Sequence, residues 1–305
     1  MIRFEVLILG NSSATPIYER HPTSQVINYN EQLFLIDCGE GTQVQLRKNK
    51  IKFSKINHIF ISHLHGDHFF GLVGLISTMR LMGRDKDLTI YGPKGLEQIV
   101  RMQLEIGGSK LDFAIQFIEL NGDEACMLFE DGQIEIHTFP LKHRIPTNGF
   151  LIREKPRERK LLSDKISGSG MRFEHMHLLK KGEDVFMEDG HCYKNQDFTA
   201  DPRPPRSYAY CSDTLYAERV IPYIQEVSLL YHEATFIEKD IDRARATYHS
   251  TARQAGEIAK KASVGKLLIG HLSARYDDGQ MHVLEAQSVF PETGVVEDGM
   301  VISIE

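Results

Sequence analysis

Ser62-His63-Leu64-His65-Gly66-Asp67-His68 places three imidazoles and a carboxylate within six residues. The run follows an apolar, β-rich segment, Ile56 to Ile61, and precedes helically spaced apolar positions at Phe69, Leu72, Val73, Leu75 and Ile76. The ligands therefore stand where a strand ends and a helix begins. Imidazole and carboxylate suit zinc and similar divalent ions, and ligands at alternate positions of a turn can be shared between two ions. Gly66 lets that turn bend tightly. A solvated histidine-rich loop would not need Gly66 and Asp67 inside the spacing.

The surrounding pattern is α/β with a surplus of strands. Phe4 to Leu9, Gln25 to Tyr29, Leu33 to Ile36, Leu88 to Tyr91, Ala114 to Glu119 and Gln133 to Phe139 read as strands. After the charged stretch Glu154 to Arg206, strands resume at Tyr208 to Cys211, Val227 to Tyr231 and Lys266 to Ile269, and Met300 to Ile304 closes a sheet. Thr251 to Ala262 and Val283 to Val289 read as helices. Residues 154–206 hold Gly168-Ser169-Gly170 and a proline-rich end, and read as an arm inserted into a single domain spanning 1–305.

Composition narrows the setting. A net charge of -6 over 305 residues means that a polyanionic partner must be met by a local basic patch. Cys38, Cys126, Cys192 and Cys211 are scattered without a CxxC pair, which suits reduced thiols in a cytosol. The N-terminal run carries Arg3 and Glu5 and lacks a leader-like cleavage pattern, and no segment is long and apolar enough to span a bilayer.

His63-Leu64-His65-Gly66-Asp67-His68 resembles the H-x-H-x-D-H signature of the metallo-β-lactamase superfamily. The resemblance implies an αββα sandwich with two metal ions at one edge and three more ligands from later strand ends. His143, Asp213 and His271 stand in that order after strand-like segments. It implies one ion on His63, His65 and His143, another on Asp67, His68 and His271, and Asp213 bridging them.

Three further segments resemble the ribonuclease Z family: Asp37-Cys38-Gly39-Glu40-Gly41-Thr42-Gln43, His232-Glu233-Ala234-Thr235-Phe236 and Tyr248-His249-Ser250-Thr251-Ala252. That resemblance implies a homodimeric endoribonuclease with two zinc ions per subunit that trims the 3′ trailer of precursor tRNA. Asp67 would orient the attacking water. His249, kept cationic by Glu233, would protonate the leaving 3′-oxygen. The alternatives are a hydrolase of small phosphodiesters or other esters on the same metals, and a non-catalytic RNA-binding protein. His249 could instead cap the helix that follows it, and Glu233 could be a surface carboxylate.

Two segments depart from the family. Its P-x-K-x-R-N loop is Pro16-Ile17-Tyr18-Glu19-Arg20-His21, which keeps the arginine but has Tyr18 and His21 for lysine and asparagine. The arm lacks the Gly-Pro tip, yet carries Lys155, Arg157, Arg159, Lys160, Lys165, Arg172, Lys180 and Lys181 for phosphate contacts. His21, His58, His137, His175, His177, His191 and His282 are expected in solvent or in ordinary hydrogen bonds.

Overall fold

Alternation along the strands sorts side chains to two faces, and that sorting builds the layers. In a computed structural model, which describes residues 2–17, 20–187 and 190–305, the first sheet contains β1 (Phe4–Gly10), β2 (Ser24–Tyr29), β3 (Gln32–Ile36), β4 (Ile56–Phe60), β5 (Leu88–Pro93) and β6 (Ile115–Leu120). Neighbours from β1 to β3 are antiparallel, and those from β3 to β6 are parallel. Leu7, Leu9, Leu33, Leu35, Ile59 and Ile90 bury one face against α1 (Thr42–Lys48), α3 (Leu72–Leu81) and α4 (Leu96–Ile106). The helically spaced positions from Phe69 to Ile76 do not share one helix. Instead α2 (Gly66–Phe69) ends before Gly71, where a Cβ would stand 2.1 Å from the Gly39 carbonyl.

The second sheet contains β7 (Cys126–Glu130), β8 (Ile134–Pro140), β9 (Asn148–Glu154), β10 (Ser207–Cys211), β11 (Leu229–Glu233), β12 (Lys266–Gly270) and β13 (Thr293–Val295). Its outer face packs Ala209, Leu230, Leu267 and Ile269 against α5 (Ala252–Lys261) and α6 (Gln280–Gln287). The inner faces of the two sheets meet through aromatic rings: Phe60 lies 5.5 Å from Phe150, and Phe34 lies 5.5 Å from Phe129. Finally β14 (Val301–Ser303) pairs antiparallel with β1. The layers are helix, sheet, sheet and helix, the αββα sandwich of the metallo-β-lactamase fold. All four cysteines are free thiols, and no helix among the described residues is long and apolar enough to cross a membrane.

The chain forms two compact units, one of residues 1–130, 135–152 and 207–305 and one of 131–134 and 153–206. The second unit is folded rather than a bare charged loop. Short strands pair Lys160–Leu161 with Thr199–Ala200 and Val185–Phe186 with Cys192–Tyr193, around buried Leu179, Val185 and Thr199. Its ends are tied together by Glu154, whose carboxylate accepts Arg206 Nη2–H at 2.7 Å and Nε–H at 3.1 Å.

Burial alone would raise the Glu154 carboxyl, but Arg206 outweighs it and holds the group down at about 2. A depressed folded value stabilises fully above the unfolded value of about 4.3, and the stabilisation is lost as pH falls toward the folded value. Amide exchange across 155–205 should therefore accelerate as pH drops from about 5 to about 3, after correction for intrinsic rates. Glu154→Gln should show fast exchange at neutral pH and little of that pH dependence. Matching profiles for the two proteins would refute the role of the pair.

Candidate metal centre

Parallel strands bring their C-terminal ends to one edge, and the site is assembled there. β4 delivers Ser62, His63 and His65, and the turn into α2 adds Asp67 and His68. β10 is followed by Asp213 and β12 by His271, with β11 between them in parallel register. Asp37, Asp213 and His271 have φ of 55°, 53° and 58°. Each such left-handed residue costs on the order of 1–3 kcal/mol and turns the chain sharply at a strand end.

The side chains converge on Asp213. Its Oδ2 lies 3.4 Å from His63 Nε2 and 3.6 Å from His143 Nε2, while Oδ1 lies 3.2 Å from His68 Nε2 and 3.0 Å from His271 Nε2. On the first side His65 Nδ1 is 3.0 Å from His63 Nε2 and 3.1 Å from His143 Nε2. On the second, Asp67 Oδ2 is 3.6 Å from His68 Nε2 and 3.4 Å from His271 Nε2, and those two nitrogens are 3.3 Å apart. Bonds of about 2.0–2.1 Å to tetrahedral zinc put ligand atoms about 3.3 Å apart, so both groups have the spacing of a metal's coordination shell. The structure brings together all seven expected ligand residues.

The outer nitrogens are held as metal-binding histidines require. His68 Nδ1 is 2.7 Å from Asp37 Oδ2, His63 Nδ1 is 3.0 Å from Ser62 Oγ, His143 Nδ1 donates to the Tyr248 carbonyl at 2.9 Å, and His271 Nδ1 is 2.9 Å from Thr235 Oγ1. Asp37 is fully buried and also accepts the Ser62 N–H and the Tyr210 hydroxyl. Charge in the cluster is uneven. Burial pulls His63 down to about 4, whereas the carboxylates of Asp213, Asp67 and Asp37 overcome burial to raise His68 well above its ordinary value. The buried carboxylates demand positive charge.

Beside this cluster His249 Nδ1 sits 2.8 Å from Glu233 Oε1, and its ring centre is 5.2 Å from that of His143. Glu233 is fully buried and also accepts the Thr214 and Thr235 N–H groups and the Thr235 hydroxyl. It is not a surface carboxylate. Burial would lower His249, but Glu233 and then Asp213 raise it to about 9. The helix cap falls to Thr251, which accepts the Gln254 N–H, so His249 is free of that duty.

A cleft of about 440 Å³ opens over the cluster, lined by Ala14, Pro16, Glu40, Asp67, Phe70 and His249. A second of about 540 Å³ shares His249 and is lined by Arg144, Arg243 and Arg275. Sequence reasoning left these arginines, Thr235 and Tyr210 unassigned. His282 corrects the expectation of a solvent position: it is fully buried, and burial lowers it to about 4 against a hydrogen bond to the Thr235 backbone. Tyr18 and Glu19 lie outside the described residues, but Arg20 donates to the Tyr276 carbonyl at 2.7 Å.

The family model described as Anti-Pycsar protein Apyc1 matches residues 4–189. Ribonuclease Z of Bacteroides fragilis is 44% identical over 304 residues, covering 100% of both chains, and ribonuclease Z of Phocaeicola vulgatus is 46% identical over 305 residues, covering 100% of this chain and 99% of the relative. Among solved structures, the short form of human tRNase Z has a TM-score of 0.71 at 29% identity, covering 99% of each chain. A metallo-β-lactamase-fold protein of Bacillus subtilis has a TM-score of 0.70 at 19% identity, covering 99% of this chain, and supports the fold alone. The chain belongs to the family that the Apyc1 model describes over its first two-thirds and, over its whole length, to the ribonuclease Z family of metal-dependent hydrolases.

Proposed function

We propose that this protein is a cytosolic, homodimeric endoribonuclease that removes the 3′ trailer of precursor tRNA, with two zinc ions per subunit. The observation that carries the reading is the His249–Glu233 pair, a buried 2.8 Å contact beside a seven-residue ligand cluster. His63, His65 and His143 would hold one ion, Asp67, His68 and His271 the other, and Asp213 both. Bound there, the ions would supply an activated water and neutralise charge building on the phosphoryl oxygens.

The chain's own groups divide the rest. Asp67 lines the first cleft, where it would orient the nucleophile's proton. His249 lines both clefts and would give its proton to the leaving 3′-oxygen. Arg144, Arg243 and Arg275 supply cations along the second cleft for the phosphates of a strand, a length of contact that a small diester would not use. The unit within 154–206 would grip folded tRNA through exposed Lys160, Lys165, Arg172 and Lys181.

The metal assignment predicts about two equivalents of zinc in the purified protein, and Asp213→Asn should lose metal and at least about a hundredfold in kcat on precursor tRNA. Metal analysis with mapping of the cleaved 3′ end tests this, and two bound metals without cleavage of precursor tRNA or bis(p-nitrophenyl) phosphate would overturn the enzymatic reading.

The acid assignment predicts loss of kcat as pH rises through the His249 value. That value is about 9 in the protein alone, and neighbouring cations would lower it. Glu233→Gln removes the charge favouring imidazolium, so the alkaline limb should move at least about one unit toward acid. An unmoved limb would exclude His249 as the acid.

Deleting about Arg157 to Arg203 should weaken tRNA cleavage at least about tenfold while sparing bis(p-nitrophenyl) phosphate. Equal loss of both activities would contradict a gripping role.

A further inference from the structure

We propose that His21 and Asp298 are positioning residues for the Asp67 carboxylate, acting through Ser12 to Thr15; this rests on the ligand reading of Asp67 above. The backbone N–H of Ala14 donates to Asp67 Oδ2 at 2.7 Å, the same oxygen that lies 3.4 Å from His271 Nε2. Ala14 reaches it in the left-handed region, with φ of 61°, so the bond depends on how the loop is held.

Asp298 holds the other end. One of its oxygens, Oδ2, accepts both the His21 backbone N–H and His21 Nδ1–H, each at 2.8 Å, and its side chain is 9% exposed. The Gln45 amide lies 2.8 Å from His21 Nε2, completing the ring's contacts. Asp298 is itself anchored, because the next residue, Gly299, turns at φ of 86° and donates to the Ile8 carbonyl at 2.7 Å.

Ser12 links His21 to the turn that carries Ala14. Ser12 N–H donates to the His21 carbonyl at 2.9 Å, and Ser12 Oγ to the Thr15 carbonyl at 2.9 Å. Backbones lie in direct contact beneath it: a Cβ on Gly10 would stand 2.0 Å from the Pro22 carbonyl, and one on Gly39 2.4 Å from that of Asp67. A shift at His21 is thus transmitted to Ala14 and to the turn carrying Asp67. An N–H bonded to a ligating oxygen fixes the carboxylate's rotation and moderates its basicity, which is the leverage of groups that orient metal ligands.

The contact asks residue 21 for an N–H donor, which histidine and asparagine side chains offer and leucine does not.

The test compares Asp298→Ala, His21→Leu and His21→Asn in the full-length, zinc-loaded protein, with bis(p-nitrophenyl) phosphate as substrate and rates expressed per bound metal pair. Asp298→Ala and His21→Leu should weaken zinc affinity about tenfold in a chelator competition and lower kcat per loaded site about tenfold with KM within about twofold, and His21→Asn should restore both affinity and kcat to within about threefold. Unchanged kcat per loaded site in His21→Leu, or equal impairment in His21→Asn and His21→Leu, would overturn the proposal. Should Asp298→Ala fail to fold, the two His21 variants decide alone. A wild-type protein that binds no metal and cleaves nothing would refute the Asp67 reading instead.

Discussion

Asp213 divides its two carboxylate oxygens between two pairs of imidazoles, and the rest of the structure is arranged to let it do so. A buried carboxylate without compensating charge costs several kcal/mol, and the protein places it at 2% exposure. His63 and His143 face one oxygen, His68 and His271 the other. Burial, and then His68, push His63 down, while Asp213, Asp67 and Asp37 raise His68 against burial. Two divalent ions would satisfy all four contacts at once.

Holding that arrangement requires strand ends rather than flexible loops. β10, β11 and β12 run parallel, so Asp213, Glu233 and His271 leave the sheet at one edge, while β3 and β4 bring Asp37 and His63 to the same edge from the other sheet. The left-handed turns at Asp37, Asp213 and His271 are unfavourable locally. They are offset by the sheets and by hydrogen bonds that over-determine each side chain, such as those of Ser62, Tyr210 and His68 to Asp37. Local cost and tertiary gain therefore fall on the same residues.

Much of this was legible from local pattern. His63, His65, Asp67 and His68 stand out because a single turn supplies them, whereas His143, Asp213 and His271, each after an apolar run, were singled out only through the superfamily resemblance. β7 and β9 were not foreseen: β7 carries exposed and half-buried residues with none in the core, and β9 reads Asn148-Gly149 before its apolar residues. Which ring nitrogen faces the cluster was equally hidden. His65 uses Nδ1 where His63 and His143 use Nε2, and only the tertiary partners of the remaining nitrogens decide this. His282 was expected in solvent or in an ordinary hydrogen bond, and its full burial, with Tyr276 edge-on at 4.6 Å, is not marked by any pattern around it.

The electrostatics of the whole chain and of the site oppose one another, and the opposition clarifies how a polyanion could be handled. At a net charge of -6 the molecule as a whole repels RNA, and salt screens that repulsion over about 8 Å at physiological ionic strength. Arg144, Arg243 and Arg275 line one cleft together with His249. A polyanion repelled at a distance would gain attraction only where its phosphates meet these fixed cations, so such a surface would favour a strand that follows the cleft past His249.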